Sequence, residues 1–90
     1  MDQANAWQVY IVRCADDTLY TGIARDVNKR IDEHNHSHLA ARYTRTRRPV
    51  VLLYTETYVS RSEALRRESA IKKLSRPDKQ RLCLQPPATS

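Results

Sequence analysis

The sequence predicts an α+β domain: a small three-stranded antiparallel sheet flanked by helices, in the order ββαβαα. Three observations carry that expectation. Two runs rich in Val, Ile and Tyr lie near the start, separated by a short turn, the mark of a hairpin. Two capping residues, Asp26 and Ser60, each stand just before a run with helical spacing. Between those helical runs lies one more apolar stretch, opened by Pro49.

Taken in order, residues 7–14 form the first strand, and residues 15–18 supply Asp16 and Asp17 for a turn. Residues 19–24 form the second strand. Asp26 caps a helix over residues 27–35, with Val27 and Ile31 marking its buried side. Residues 36–48 have no period and read as a basic loop. Residues 50–58 alternate toward their end and form the third strand. Ser60-Arg61-Ser62-Glu63 is a capping box, Ser at the cap and Glu three residues on, for a helix to residue 74. Ser75 and Pro77 then open a short last helix through residue 82. Residues 1–6 and 84–90 are expected to be flexible, flanking one domain over residues 7–83.

Ninety residues suffice for one core and not two, and 40% hydrophobic residues mark a folded chain. Lys and Arg total 16 against 10 acidic residues, a net +6 that favours a polyanionic partner. Arg42, Arg45, Arg47 and Arg48 crowd around Tyr43, Thr44 and Thr46, while Arg61, Arg66, Arg67, Lys72 and Lys73 line a second segment. Cys14 and Cys83 are too few and too far apart for a disulfide framework, and without a C-x-x-C pair no zinc site is expected. They read as free thiols in a reducing compartment. No apolar run is long enough to cross a membrane and no signal-peptide core opens the chain, so a soluble, cytoplasmic protein is expected.

Several residues invite a chemical reading. Ala64, Leu65, Glu68 and Ile71 are expected on one side of the second long helix, which puts a carboxylate among apolar neighbours. Such a group pairs with a cation or binds a metal. Arg30 and His34 are four apart and emerge from one helix face. A guanidinium beside an imidazole suits a phosphate, since one binds the anion and the other moves a proton. The plainer alternative is a solvated face on which Asp26 pairs with Arg30 and Lys29 with Glu33. Tyr10 and Tyr20 sit mid-strand on the two paired strands, and a phenol beside a cation has a lowered pKa. Gly22 is the chain's single glycine, and a glycine inside a strand suggests close approach of another group. The alternating His34, His36 and His38 lack partner ligands and read as part of a solvated loop, not a metal site.

Together these fragments resemble the GIY-YIG nuclease superfamily, and in particular its small stand-alone bacterial group. Gln8-Val9-Tyr10 and Tyr20-Thr21-Gly22 are similar to its paired GIY and YIG strands, the first keeping only the tyrosine. Arg30 stands ten residues after Tyr20, where the family has its catalytic arginine, and His34-Asn35 follows as its H-N pair. Ala64 with Arg66-Arg67-Glu68 resembles the segment whose glutamate holds the metal, and Tyr43-Thr44 with Arg47-Arg48-Pro49 resembles the group's basic connector. The resemblance spans residue 9 to about residue 79. No Asn follows Asn35, whereas many members carry one after the glutamate.

The resemblance implies a metal-dependent endonuclease that hydrolyses DNA phosphodiester bonds, structure-directed and linked to repair or recombination. Glu68 would hold Mg²⁺ (or Mn²⁺), and Tyr10 would act as base or water positioner with Tyr20 beside it. Arg30 would stabilise charge on phosphorus and His34 would assist proton transfer. Arg42, Tyr43, Thr44, Arg45, Arg47 and Arg48 would hold the nucleic-acid backbone, with Gly22 structural at the site. The partners it implies are DNA, branched or single-stranded, and a larger repair complex. Two rival readings stay open: a nucleic-acid-binding module that does not cut, and a protein-interaction subunit on a nuclease-like fold.

Overall fold

The computed structural model describes residues 6–84. The expectations for residues 1–5 and 85–90 lie outside the described residues. Two strands open the chain, β1 (Trp7–Arg13) and β2 (Leu19–Ala24), followed by helix α1 (Val27–His36) and a single turn, α2 (Arg42–Arg45). Strand β3 (Val51–Tyr58) and helices α3 (Arg61–Lys72) and α4 (Arg76–Cys83) complete it. The order is the one expected, except that the basic segment is not all loop. Thr44 is buried there, and burial of its side chain draws residues 42–45 into a helical turn.

The sheet runs β2-β1-β3, antiparallel throughout, with Tyr10 opposite Gly22 and Val9 opposite Glu56. The hairpin closes as Asp17 takes φ 69°, a left-handed angle that Asp tolerates better than most side chains. Asp16 Oδ1 accepts from the Thr18 hydroxyl at 2.6 Å and from its backbone N–H at 3.2 Å, which fixes the turn. All three long helices start as their caps foretell. Asp26 accepts from Lys29 N, Ser60 from Glu63 N and Ser75 from Asp78 N.

Because β1 is central, its alternate side chains feed two cores. Val9 and Ile11 meet Tyr54, Ala64 and Ile71 on the α3 face, with Leu82 and Cys83 of α4 packed against them. Tyr10, Val12 and Cys14 meet Val27 and Val50 on the α1 face, with Ile31 and Tyr20 at the margin. One buried anion ties α3 to the sheet. Glu56 is 2% exposed and accepts from Arg67 Nε at 2.8 Å and Nη2 at 2.9 Å, and from the Tyr54 and Tyr58 hydroxyls at 2.6 Å each. Burial alone would raise its pKa, but those four donors outweigh it and hold the carboxyl below its usual range. Asn35 makes a second tie. Its side chain donates to the Val50 carbonyl at 3.1 Å and accepts from Val50 N at 2.7 Å, fixing the end of α1 to the entry of β3. No helix among the described residues is long and apolar enough to cross a membrane.

Taking away the cation from a buried pair leaves an uncompensated charge. Arg67→Met is therefore expected to cost about 2–4 kcal/mol in urea unfolding, the lower end reflecting a guanidinium that is partly exposed. A loss below about 0.5 kcal/mol, the scale of a surface pair, would overturn that account of how α3 is held.

Candidate active site

Tyr10 organises the site. Its ring lies across Gly22 of β2: a Cβ there would stand 2.5 Å from the Tyr10 hydroxyl oxygen and 2.7 Å from Cζ. No side chain fits that gap. Glycine serves for this close approach and not for its backbone angles, since φ at Gly22 is not positive. The crossing carries the hydroxyl over the outer strand of the sheet, where it meets His34 Nε2 at 2.8 Å. His34 Nδ1 in turn lies 2.6 Å from the Thr44 hydroxyl, which donates to the Ala41 carbonyl at 3.1 Å. With the Thr44 proton directed at Ala41, Nδ1 must carry the imidazole hydrogen. Nε2 then offers a lone pair, and the Tyr10 hydroxyl donates to it.

Burial sets the protonation of this chain. His34 is fully buried, so desolvation first and the Arg30 charge second draw its pKa from the ordinary 6.5 to about 4. The imidazole is neutral at pH 7. The reading of His34 as part of a solvated face or loop is thus corrected, because α1 turns it inward onto Tyr10. Burial also pushes Tyr10 up from 10.0 to about 12, the neighbouring Tyr20 adds to the rise, and the Arg30 cation works against it. A lowered phenol pKa, expected beside a cation, is not what this environment gives. Desolvation exceeds the attraction.

Arg30 lies close enough for its charge to act on both Tyr10 and His34. Its Nη1 donates to Glu33 Oε1 at 2.8 Å and to the Leu39 carbonyl at 2.9 Å. The pairs Asp26–Arg30 and Lys29–Glu33 do not form, since Asp26 is engaged as the α1 cap and Glu33 holds Arg30. The rest of the guanidinium faces the Tyr10 hydroxyl, near enough to hydrogen-bond the phenolate form, and so sits where an anion at the phenol would meet it.

Glu68 reaches the same neighbourhood from α3, and its charge also bears on the Tyr10 hydroxyl. Of its expected stripe, Ala64 and Ile71 are fully buried, but Leu65 is 36% exposed. One residue is a 100° turn of a helix, so Leu65 cannot share the line of Ala64. The Glu68 side chain is 18% exposed and pairs with Lys72 Nζ at 3.4 Å, itself 53% exposed. Such a partly exposed pair is weak and easily exchanged. Among the described residues no three His, Cys, Asp or Glu side chains cluster into a cage. One exchangeable carboxylate without a cage fits a hard divalent ion that keeps its waters and takes further ligands from a phosphate. It does not fit a four-ligand protein site.

Tyr20 stands beside the chain, with its ring centroid 6.4 Å from Tyr10 and edge-on to His34 at 5.6 Å. Its other side stacks on Tyr43 at 5.6 Å, and Arg47 lies over Tyr43 at 4.0 Å while pairing with Asp16 at 3.0 Å. This ladder binds the hairpin turn to the basic connector. The connector's cations are therefore largely occupied. Arg45 donates to the His38 carbonyl at 3.2 Å and Arg47 to the Tyr43 carbonyl at 2.8 Å. Arg48 donates to the Ser37 carbonyl, its Nε buried without a partner among the described residues. Arg42 is exposed and makes no ion pair among the described residues. Thr44, expected at the nucleic acid, is fully buried and serves His34 instead. Sequence reasoning missed this role, along with Glu56 and Asn35, since neither hydroxyls nor amides announce a partner at a distance. An alternating strand with a Glu facing the core side was the one available signal for Glu56.

Comparison with known proteins places the chain in a family. The GIY-YIG catalytic domain family matches residues 6–81. A UPF0213 protein of Desulfotalea psychrophila is 64% identical over 70 residues, covering 78% of this chain and 64% of that protein, so the chain spans just under two thirds of its length. A UPF0213 protein of Staphylococcus aureus is 54% identical over 74 residues, covering 82% of this chain and 89% of that one. Two NMR structures share the fold. A UPF0213 protein of Bacillus halodurans aligns with TM-score 0.54 and 43% identity, over 86% of this chain and 81% of that one. A protein of E. faecalis aligns with TM-score 0.58 and 32% identity, over 90% and 85%. With the match running from Ala6 into α4 and taking in each of the elements that form the site, the chain belongs to the GIY-YIG family.

Proposed function

We propose that the protein is an endonuclease that hydrolyses phosphodiester bonds of DNA with a divalent metal ion, Mg²⁺ or Mn²⁺, in a structure-directed role in repair or recombination. The observation that carries this reading is the Tyr10–His34–Thr44 chain beside Arg30 and Glu68. A phenol with a pKa near 12 is protonated at pH 7 and cannot by itself take a proton from water. Hydrogen-bonded to a neutral imidazole lone pair, it can pass its own proton on as it accepts one. Water thus loses a proton to the Tyr10 oxygen while the Tyr10 proton moves to His34 Nε2. Burial and the Arg30 charge oppose the resulting imidazolium, and the negative charge of the bound phosphate together with the Thr44 oxygen, accepting from Nδ1, would have to offset that cost. Arg30, beside the Tyr10 hydroxyl, meets the phosphate and offsets the charge that grows on phosphorus. Glu68 would hold the ion, which would supply positive charge against the negative charge that develops on the phosphate. Tyr20 completes the wall of the site and orients the attacking water.

The first test incubates the purified protein with branched, single-stranded and duplex DNA in Mg²⁺, Mn²⁺ or EDTA. Cleavage is expected with either ion and not in EDTA. Arg30→Ala is expected to lower kcat by about 10²–10³-fold. Tyr10→Phe and Glu68→Ala are expected to abolish measurable turnover, and Gly22→Ala to match Tyr10→Phe by displacing the ring. Full activity in Glu68→Ala and Arg30→Ala together would sink the proposal.

A second test reads pH. The folded pKa of His34, about 4, lies below the ordinary 6.5. Between those values the unfolded chain binds a proton that the folded chain refuses. Stability is thus fully present above pH 6.5 and falls as the pH drops toward 4, by on the order of 2–3 kcal/mol from this group. His34→Gln is expected to remove that part of the acid sensitivity and to lower kcat by about 10²-fold or more with little change in KM. An unchanged kcat would show that His34 accepts no proton.

A further inference from the structure

Trp7 is the chain's single tryptophan, and two guanidiniums converge on it. Arg25 Cζ lies 5.2 Å from the ring centroid and Arg61 Cζ lies 5.7 Å from it. Both arginines are exposed, and neither makes an ion pair or a side-chain hydrogen bond among the described residues. Neither belongs to the catalytic cluster, and neither is needed to neutralise a buried acid. Cations held over an aromatic face at a surface, without carboxylate partners, are equipped to meet phosphates and stacked bases.

Two elements place this cluster at a common distance from the candidate active site. Arg25 stands three residues beyond Gly22, one past the end of the outer strand, about 10 Å at the rise of extended chain. Arg61 stands seven residues before Glu68 on α3, two turns back on the same side and again about 10 Å. β2 runs toward the cluster and α3 runs away from it, so both displacements point the same way. Ten ångströms equals about three steps of rise along a duplex axis, but because the backbone winds around that axis it spans only about one to two phosphates of one strand.

We infer that Trp7, Arg25 and Arg61 form a second contact for the DNA backbone, holding the strand about one to two nucleotides from the phosphate to be cut. This rests on the nuclease reading, and deepens it by giving the substrate a direction: along β2, toward the start of α3. It also supplies charge that the connector, with most of its guanidiniums bonded to its own backbone, does not offer.

The test uses the whole chain in EDTA, so that binding is read without cleavage. Trp7 emission is titrated with a DNA duplex, and affinity is measured by anisotropy of the labelled duplex over a range of salt. Emission is expected to change to saturation in step with the anisotropy. Arg25→Gln and Arg61→Gln are each expected to lower the slope of log Kobs against log[salt] by about 0.9, and the double variant by about twice that. Arg25→Lys, which keeps the charge, is expected to hold the slope. If the arginines only cover the indole, DNA leaves the emission unchanged and the double variant keeps the wild-type slope, either of which overturns the inference alone. Failure of the wild-type protein to bind any DNA would overturn it together with the nuclease reading.

Discussion

The passage of the Tyr10 ring over Gly22 is the constraint on which the site depends. A phenol on the central strand can reach the outer edge of the sheet only by lying across its neighbour, and only a residue without a side chain permits it. Once there, Tyr10 is only 1% exposed, so the phenol proton needs an acceptor within the protein. α1 supplies it through His34. The same step that buries the phenol thus raises its pKa and hydrogen-bonds it to the neutral imidazole of His34.

The rest of the fold brings a helix from the opposite face of the sheet into reach. Packing by Ala64 and Ile71 is thin for a helix of this length, with few other buried side chains along it. The Glu56 carboxylate makes up the difference by gripping Arg67 with two hydrogen bonds, one residue before Glu68. Neighbouring residues on α3 therefore have opposite tasks. Arg67 is bound to the sheet, and Glu68, a 100° turn away, is left with only an exchangeable lysine. The strong ion pair beside it thus leaves the Glu68 carboxylate available without loosening the helix, as the proposed role in holding an ion requires.

Much of this was legible in the residues, for physical reasons that differ from element to element. Strand composition, the Asp16–Asp17 turn and the three caps are local signals, and the observed elements match them to within a few residues. The lone glycine pointed to a close approach, and the geometry shows which atoms approach it. What stayed hidden were groups whose partners are remote in sequence: Glu56 with Arg67, Asn35 with Val50, Thr44 with His34. Periodicity also misled at Leu65, where apolar identity suggested burial and helical angle denied it. The arginines of residues 42–48 read as a cationic grip because sequence shows charge but not the carbonyls that occupy it.

The link from Ala41 through Thr44 to His34 has one more consequence. An imidazole has two ring nitrogens, and which one holds the hydrogen is decided here by a main-chain oxygen in a separate segment. The single helical turn of α2 thereby works as a latch on the tautomer. Were that turn to unwind, the ring would be free to present a hydrogen to the phenol, and the hydrogen bond between Tyr10 and His34 would reverse its direction.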